Sequence, residues 1–293
     1  MDAGYGVRAL VRGQPRADAP PGVAWVRGDL NDRQALAVLM DGATAVVHAA
    51  GAIKALTVAG FMTTNVAGTA NVIAAATAQP RPPRLIHLSS LAAREPALSS
   101  YAASKAAAED EVRKAAARLP SVVLRPPAVY GPGDPETLRI FQLAAKGVLP
   151  VPAVAGARLS LAHVDDTARV ILATLSGEYI DKTIEFDDGH VGGYTWAEVA
   201  AAAGHVLGRP VRTLNLPRGV LYAVGVATDV VAQARGRPAV LSRHKVAEIY
   251  HPDWVARPTP LPGYRPAWSL VDGFQNTVEW AVSQGLVRML RRS

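Results

Sequence analysis

The stretch Arg84-Leu85-Ile86-His87-Leu88-Ser89-Ser90, followed by Tyr101-Ala102-Ala103-Ser104-Lys105, decides how this chain is read. Its first half is a short apolar run ending in two hydroxyls, as a buried parallel strand does at its carboxyl edge. Ligands of doubly wound sheets bind at that edge. Its second half opens an Ala-rich run to Arg118 that reads as a helix. Residues four apart share a helix face, so Tyr101 and Lys105 present their heads to one place. A phenol ionises at about pH 10, too high for acid–base work near neutrality. A neighbouring ammonium favours the phenolate and moves it toward the working range. The Ser90 hydroxyl can donate to a substrate oxygen whose negative charge changes during reaction. Together the three form a carbonyl–alcohol redox site. Taken alone, the pair has a second reading, a half-exposed helical Tyr beside a solvated Lys.

Further motifs lie on either side. Gly28-Asp29-Leu30 follows an apolar strand, and Val46-Val47-His48-Ala49-Ala50-Gly51 ends the next. Asn65-Val66-Ala67-Gly68-Thr69-Ala70-Asn71 lies on a helix. Beyond the Tyr101 helix come Leu124-Arg125-Pro126-Pro127-Ala128-Val129-Tyr130-Gly131-Pro132-Gly133-Asp134 and then His163-Val164-Asp165-Asp166. In this order the motifs resemble the extended short-chain dehydrogenase/reductase superfamily, the NAD-dependent epimerase/dehydratase family. That group holds nucleotide-sugar epimerases, dihydroflavonol reductases and 3β-hydroxysteroid dehydrogenases. The resemblance covers about residues 5 to 205 and implies an α/β fold, a Rossmann-type doubly wound parallel sheet. The C-terminal segment from Lys245 to Trp254 looks more like the reductase and steroid-dehydrogenase side than the sugar epimerases.

The periodicity agrees. A helix is expected over about 32–41, capped by Asn31 or Asp32. Another, over about 60–78, stops at the breaker cluster Gln79-Pro80-Arg81-Pro82-Pro83, and Pro120 closes the Tyr101 helix. Strands are expected over Val122 to Arg125 and Lys182 to Phe186. Thr195-Trp196-Ala197-Glu198 is a capping box opening a helix over 196–207. Strand–helix alternation of this kind gives a parallel sheet. We expect a dinucleotide-binding domain from 1–130 plus about 158–188. A small mixed C-terminal substrate lobe then takes about 131–157 and 189–293. The tail from Leu214 onward shows no chemistry of its own, and its Trp254, Tyr264, Trp268 and Trp280 are expected to pack a lobe or lid.

One motif of the resembled family has no counterpart. That family begins with a strand, a glycine-rich turn and a helix whose N-terminus holds the cofactor pyrophosphate. Gly4-Tyr5-Gly6-Val7-Arg8-Ala9 spells a similar string, but no strand can feed it and Val7 to Val11 alternates like a strand itself. Residues 6–12 are therefore read as the family's second strand, and the sheet as lacking its first strand and glycine-rich loop. Three explanations stand: an N-terminally truncated chain, a natural shortened product without ordinary cofactor binding, or a phosphate site rebuilt elsewhere. The lost strand would lie between those at 6–12 and near 44–49, leaving unpaired backbone on both.

The resemblance implies roles. Tyr101 is the general acid–base; Lys105 tunes it and bonds the nicotinamide ribose. Ser90 polarises the carbonyl, with Ser89 as the alternative after a one-residue strand shift. Asn65 either holds a proton-relay water through its helix backbone or bonds locally. Asp29 and Leu30 meet the adenine, Ala49, Ala50 and Gly51 let backbone approach the cofactor, and Pro126 and Val129 border the carboxamide. The bland reading of these last is strand-end turn chemistry. His163 with Asp165-Asp166 begins a helix and is read as structural. The end of the second strand, Ala9-Leu10-Val11-Arg12-Gly13, carries no carboxylate for NAD ribose hydroxyls. Arg12 suits a 2′-phosphate, so NADP is the expected cofactor and NAD the alternative.

The 293-residue chain can bury a sizeable core. Its net charge of +7 is scattered and not interleaved with aromatics, which argues against nucleic acid. Zero Cys excludes disulfides and thiolate metal sites, and the seven His show no paired metal spacing, so no metal is expected. The most apolar segment, Gly219 to Ala234, is interrupted by Asp229 and too short to span a bilayer. With no signal peptide, a cytoplasmic enzyme is expected. It would act on a small-molecule substrate, and the resemblance allows a homodimer through the helices near 60–78 and 100–118. Four functions stay open: an NADP-dependent reductase or dehydrogenase, an epimerase retaining its cofactor, a non-catalytic dinucleotide-fold protein, and an inactive truncation product. Leu91-Ala92-Ala93, where nucleotide-sugar dehydratases place acids, disfavours that branch.

Overall fold

The computed structural model describes residues 3–15, 19–175, 179–239 and 241–287. Strands β1 (Arg8–Val11) and β2 (Ala24–Arg27) pair in parallel. Helix α1 (Arg33–Met40) follows, with Asp32 as its cap; the carboxylate accepts from the Ala35 amide at 2.9 Å. Strand β3 (Ala45–His48) leads into α2 (Val58–Phe61), a π-helical turn over Met62–Ala67, and α3 (Gly68–Thr77). Then come β4 (Arg84–Leu88), α4 (Ser100–Lys114) and β5 (Ser121–Arg125). The α4 helix ends four residues short of Arg118, with turns covering the remainder.

β4 explains why this is a buried parallel sheet. Leu85 and Ile86 are neighbours on opposite faces, and both are fully buried. Leu85 packs with Leu36, Met40, Val72, Ala76 and Val112 from the helices of one face. Ile86 packs with Val122, Leu124, Val170 and Ile184 on the other. Truncating either leucine-sized side chain would cost about 2–5 kcal/mol through lost burial and the cavity left behind.

Strands β6 (Ala128–Tyr130), β7 (Val148–Pro152), β8 (Arg158–Leu159) and β9 (Leu161–His163) follow β5, with α5 (Pro135–Ala144) between β6 and β7. Helix α6 (Val164–Ala173) then returns the chain to β10 (Lys182–Glu185). The main sheet runs β10-β5-β4-β3, all parallel. β1–β2 is a separate ladder, so the break falls between β1 and β3, where the resemblance places a central strand.

β11 (Tyr194–Thr195) and α7 (Trp196–Leu207) realise the expected capping box, with both Thr195 and Glu198 side chains bonded to backbone. The remaining elements are β12 (Arg212–Leu216), α8 (Arg218–Arg235), α9 (Arg243–Ile249), β13 (Asp253–Trp254) and α10 (Leu270–Ser283). Tyr130, Phe141 and Phe274 meet edge to face where α5, α7 and α10 pack. A Cβ on Gly273 would come within 2.2 Å of the Tyr130 hydroxyl, so only glycine lets α10 approach that ring. Asp166, read as a helix-dipole residue, does more: its buried carboxylate accepts from the Ala267 and Trp268 amides and ties the C-terminal segment to α6.

His48 and His87 face each other in register on β3 and β4, their rings 5.3 Å apart, and both are buried. Burial first, then the Lys105 charge, lowers His48 from 6.5 to about 4 and His87 well below its ordinary value. Between pH 6.5 and about 4 the unfolded chain takes a proton at His48 that the native state refuses, so stability falls as pH falls through that window. The loss at His48 is about 3 kcal/mol once complete. Urea unfolding across this range should show that slope and a shallower one for His48→Gln; equal slopes would remove the histidine as its source.

Candidate active site

Parallel strands end together, so Leu88, His48 and Arg125 deliver their following residues to one edge of the sheet. Helix α4 is fixed across that edge by three interactions. The Lys105 ammonium donates to the Leu88 carbonyl at 2.7 Å. Glu109, nearly fully buried, takes a bidentate pair from Arg125, Nε to Oε1 at 2.9 Å and Nη2 to Oε2 at 2.6 Å. The Ser89 hydroxyl donates to the same carboxylate at 2.5 Å. These contacts separate the two serines. Ser89 belongs to the buried network, whereas Ser90 accepts from the Ala92 amide and stands near enough to the Tyr101 phenol to oppose the rise in its pKa.

Tyr101 is the second residue of α4, whose N-cap is Ser99. The Ser99 hydroxyl also donates to Glu248 of α9 at 2.8 Å. Glu248 pairs with Lys245, whose ammonium stands 5.1 Å from the Tyr101 ring centroid. The expectation that the C-terminal tail carries no chemistry is therefore overturned: α9 reaches the phenol through contacts about 150 residues away in sequence. The expected aromatic packing is found, with Trp254 donating to the Glu248 carbonyl and Trp268 lying against His163.

The electrostatics differ from the simplest expectation. Burial pushes Tyr101 above its usual value, the Ser90 hydrogen bond opposes this, and the Glu248 charge adds to it. Burial lowers Lys105 to about 8, with Glu109 pulling the other way. Lys105 directs its hydrogen bond to backbone, so desolvation decides the phenol's state and holds it protonated. A protonated phenol beside a serine hydroxyl is a donor pair for a carbonyl oxygen.

Asn65 lies on the π-helical turn and bonds across the fold. Its Oδ1 accepts from the Ala52 amide at 2.7 Å, and its Nδ2 donates to the Ala52 carbonyl and the Ser104 hydroxyl. It thereby clamps the loop after β3 onto α4. Its backbone carbonyl accepts locally from Thr69. A Cβ on Gly51 would meet the Asn65 Oδ1 at 3.2 Å, and Ala49 and Ala50 are exposed beside it. Pro126 is buried with its carbonyl taken by the Leu91 amide, while Val129 pairs with Ala162 in β9.

At the end of the β1–β2 ladder, Arg12, Arg27, Gly28, Asp29 and Asp32 line an open hollow of about 410 Å³. Arg12 and Asp29, both cofactor candidates, line it together, and Arg27, not among the candidates, joins them. Leu30 turns away from the hollow: Asn71 holds its carbonyl and its side chain fills the space over Gly68. A larger cavity of about 540 Å³ opens at Tyr101. Ile53, Leu56, Val58 and Phe61 line it, together with Val226 and Val230 of α8. No cluster of ligands suited to a metal occurs among the described residues.

Residues 1–178 match the family model described as the NAD dependent epimerase/dehydratase family. The chain is 41% identical over 262 residues to the ceramide reductase of Caulobacter vibrioides (strain NA1000 / CB15N), covering 89% of this chain and 81% of that protein. It is 32% identical over 190 residues to the 2-alkyl-3-oxoalkanoate reductase of Stenotrophomonas maltophilia (strain K279a), covering 57% of each. The fold is similar to that of MoeE5, solved in complex with UDP-glucuronic acid and NAD. That likeness has a TM-score of 0.69 at 20% identity, covering 97% of this chain and 93% of that one. The chain belongs to the NAD dependent epimerase/dehydratase family, as an NAD-dependent enzyme of reductase or epimerase type.

Proposed function

We propose that this enzyme is an NADP-dependent reductase of a carbonyl carried on a long apolar chain. The observation that carries the proposal is that Tyr101 opens on a cavity whose lining includes Ile53, Leu56, Val58, Phe61, Val226 and Val230, beside polar groups such as Lys54, Arg243 and Lys245. A nucleotide sugar offers such walls nothing apolar to bury, whereas an acyl chain gains about 0.8 kcal/mol for each methylene desolvated. The names of the two reductase relatives point the same way, toward a ceramide or a 2-alkyl-3-oxoalkanoate. A long-chain ketone whose neighbouring carbon carries an amide or carboxylate group fits both.

In this reading residues 1–130 and about 158–188 carry the cofactor, and about 131–157 with 189–293 enclose the substrate. The adenosine end lies at the hollow of Arg12, Arg27 and Asp29. Two guanidiniums suit a ribose 2′-phosphate, and the Asp29 carboxylate suits the adenine amine. Ala49, Ala50 and Gly51 leave room for backbone approach, Asn65 holds that loop against α4, and Pro126 and Val129 border the nicotinamide. Lys105, bonded on one side to the Leu88 carbonyl, has further N–H donors for the nicotinamide ribose. The nicotinamide, when bound, supplies the hydride to the carbonyl carbon. Ser90 and Tyr101 donate to the carbonyl oxygen, and the Tyr101 Oη gives up its proton as that oxygen becomes an alcohol. Lys105 then stabilises the phenolate until solvent restores the proton. A cytoplasmic setting, where NADPH is supplied, suits this direction of reaction.

Tyr101→Phe should lower kcat for NADPH oxidation with a long-chain 3-oxo amide by about 10²-fold or more, with NADPH affinity nearly unchanged. An undiminished kcat would take the proton from another donor. Arg12→Ala and Arg27→Ala should each weaken NADPH binding by about tenfold in a fluorescence titration while leaving NADH little affected. Equal losses for both nucleotides would assign these arginines a role other than the 2′-phosphate.

A further inference from the structure

Helix α8 is built inside out. Its positions 220, 223, 224, 227, 230, 231 and 234 follow helical spacing and hold Val, Ala, Val, Ala, Val, Val and Ala, every one exposed. Val220 is 51% exposed, Val224 45%, Val230 64% and Val231 47%. Thr228 and Asp229 of the same helix turn inward instead. Asp229 accepts from the Arg243 amide at 3.1 Å, and Thr228 donates to carbonyls of Val224 and Gly225 and to that of Leu241. Gly225 sits against the Arg243 backbone, where a Cβ would come within 2.8 Å, so α9 fixes this rotation of α8. A helix in water ordinarily buries its apolar stripe; here the stripe faces out along about 21 Å.

Charge says what the stripe meets. Arg218 lies at one end of α8, and Arg235 and Arg237 at the other, all exposed. No acidic side chain of α8 stands among the exposed positions. Arginines flanking an apolar strip reach phosphate groups while their stems lie along hydrocarbon. A second copy fits poorly. An antiparallel pairing of two such stripes sets the basic end of one against the basic end of the other. One helix stripe also covers far less than the ~800 Å² per partner of a stable interface. α8 is not long and apolar enough to cross a membrane.

We propose that the outward face of α8 docks this enzyme on the surface of an anionic lipid bilayer, lying in the headgroup region without crossing it. Val230 belongs both to the stripe and to the wall of the Tyr101 cavity, and the exposed Ile53, Leu56 and Val58 rim the same opening. Docking thus sets the cavity mouth at the depth where lipid chains begin. That route for substrate rests on the apolar-chain reading of the preceding section; the docking itself does not.

Vesicle flotation of the whole chain without substrate or cofactor tests it, using phosphatidylcholine vesicles with and without phosphatidylglycerol. The chain should float with phosphatidylglycerol vesicles, and raised salt or omission of the anionic lipid should weaken this severalfold. Val224→Glu/Val231→Glu should cut the bound fraction about tenfold, and Arg235→Ser/Arg237→Ser should cut it severalfold without touching the stripe. Val38→Glu, at an exposed valine of α1, should change nothing. Absence of flotation by the parent chain would overturn the proposal, as would equal flotation of the parent and the Val224→Glu/Val231→Glu variant. So would light scattering showing a dimer that this double variant dissolves, which would assign the stripe to self-association. A chain that floats yet reduces no long-chain ketone would keep the docking and lose the substrate reading.

Discussion

Everything at the site depends on how α4 is held over the strand ends. Lys105 and Glu109 are both buried on α4, and neither charge could stay there without a partner. The Leu88 carbonyl satisfies the first, and Arg125 with Ser89 satisfies the second. Removing one member of such a buried pair costs about 3–5 kcal/mol because the other is left uncompensated. The helix therefore has one rotation and one axial position relative to β4 and β5. That position brings Tyr101 to Ser90 and keeps Ser89 in the network. A slip of one residue in β4 that set Ser89 at the phenol would put Leu88 in the network and leave Glu109 without its hydroxyl donor.

A second constraint comes from the far end of the chain. Glu248 joins the N-cap of α4 to α9, and α9 sets the rotation of α8 through the close approach at Gly225. The phenol, the cavity wall and the exposed valine stripe thus form one mechanical series. Tyr101 lies in an environment that raises it, and its ring is flanked by Lys245 and by Phe61 at 6.2 Å. A phenol kept neutral serves a reductase, which needs a proton donor when the carbonyl oxygen gains charge.

Much of the fold was legible because its signals are local. Periodicity, breaker clusters and caps placed the strands and helices of the sheet within a few residues, and Thr195 with Glu198 marked the start of α7. The Tyr101/Lys105 pair was legible for the same reason, both residues standing on one helix. What escaped depends on contacts between distant segments. Nothing near Lys245 or Glu248 in sequence announces that α9 will lie against α4. Arg27 was overlooked beside Gly28-Asp29, since its place in the hollow follows from the register of β1 with β2. Gly219 to Ala234 was recognised as the most apolar segment, but its outward rotation is set by α9. The expected influence on the phenol is the Lys105 ammonium; burial, invisible in sequence, is the largest cause of its shift.

The most direct test of hydride delivery at this site is isotopic. The enzyme would be incubated with a long-chain 3-oxo amide and NADPH fully deuterated at nicotinamide C4, and the product examined by mass spectrometry. The account predicts a secondary alcohol carrying one deuterium on the former carbonyl carbon, formed in step with NADP. An unlabelled ketone recovered intact, while a nucleotide sugar is epimerised without consumption of NADPH, would contradict it.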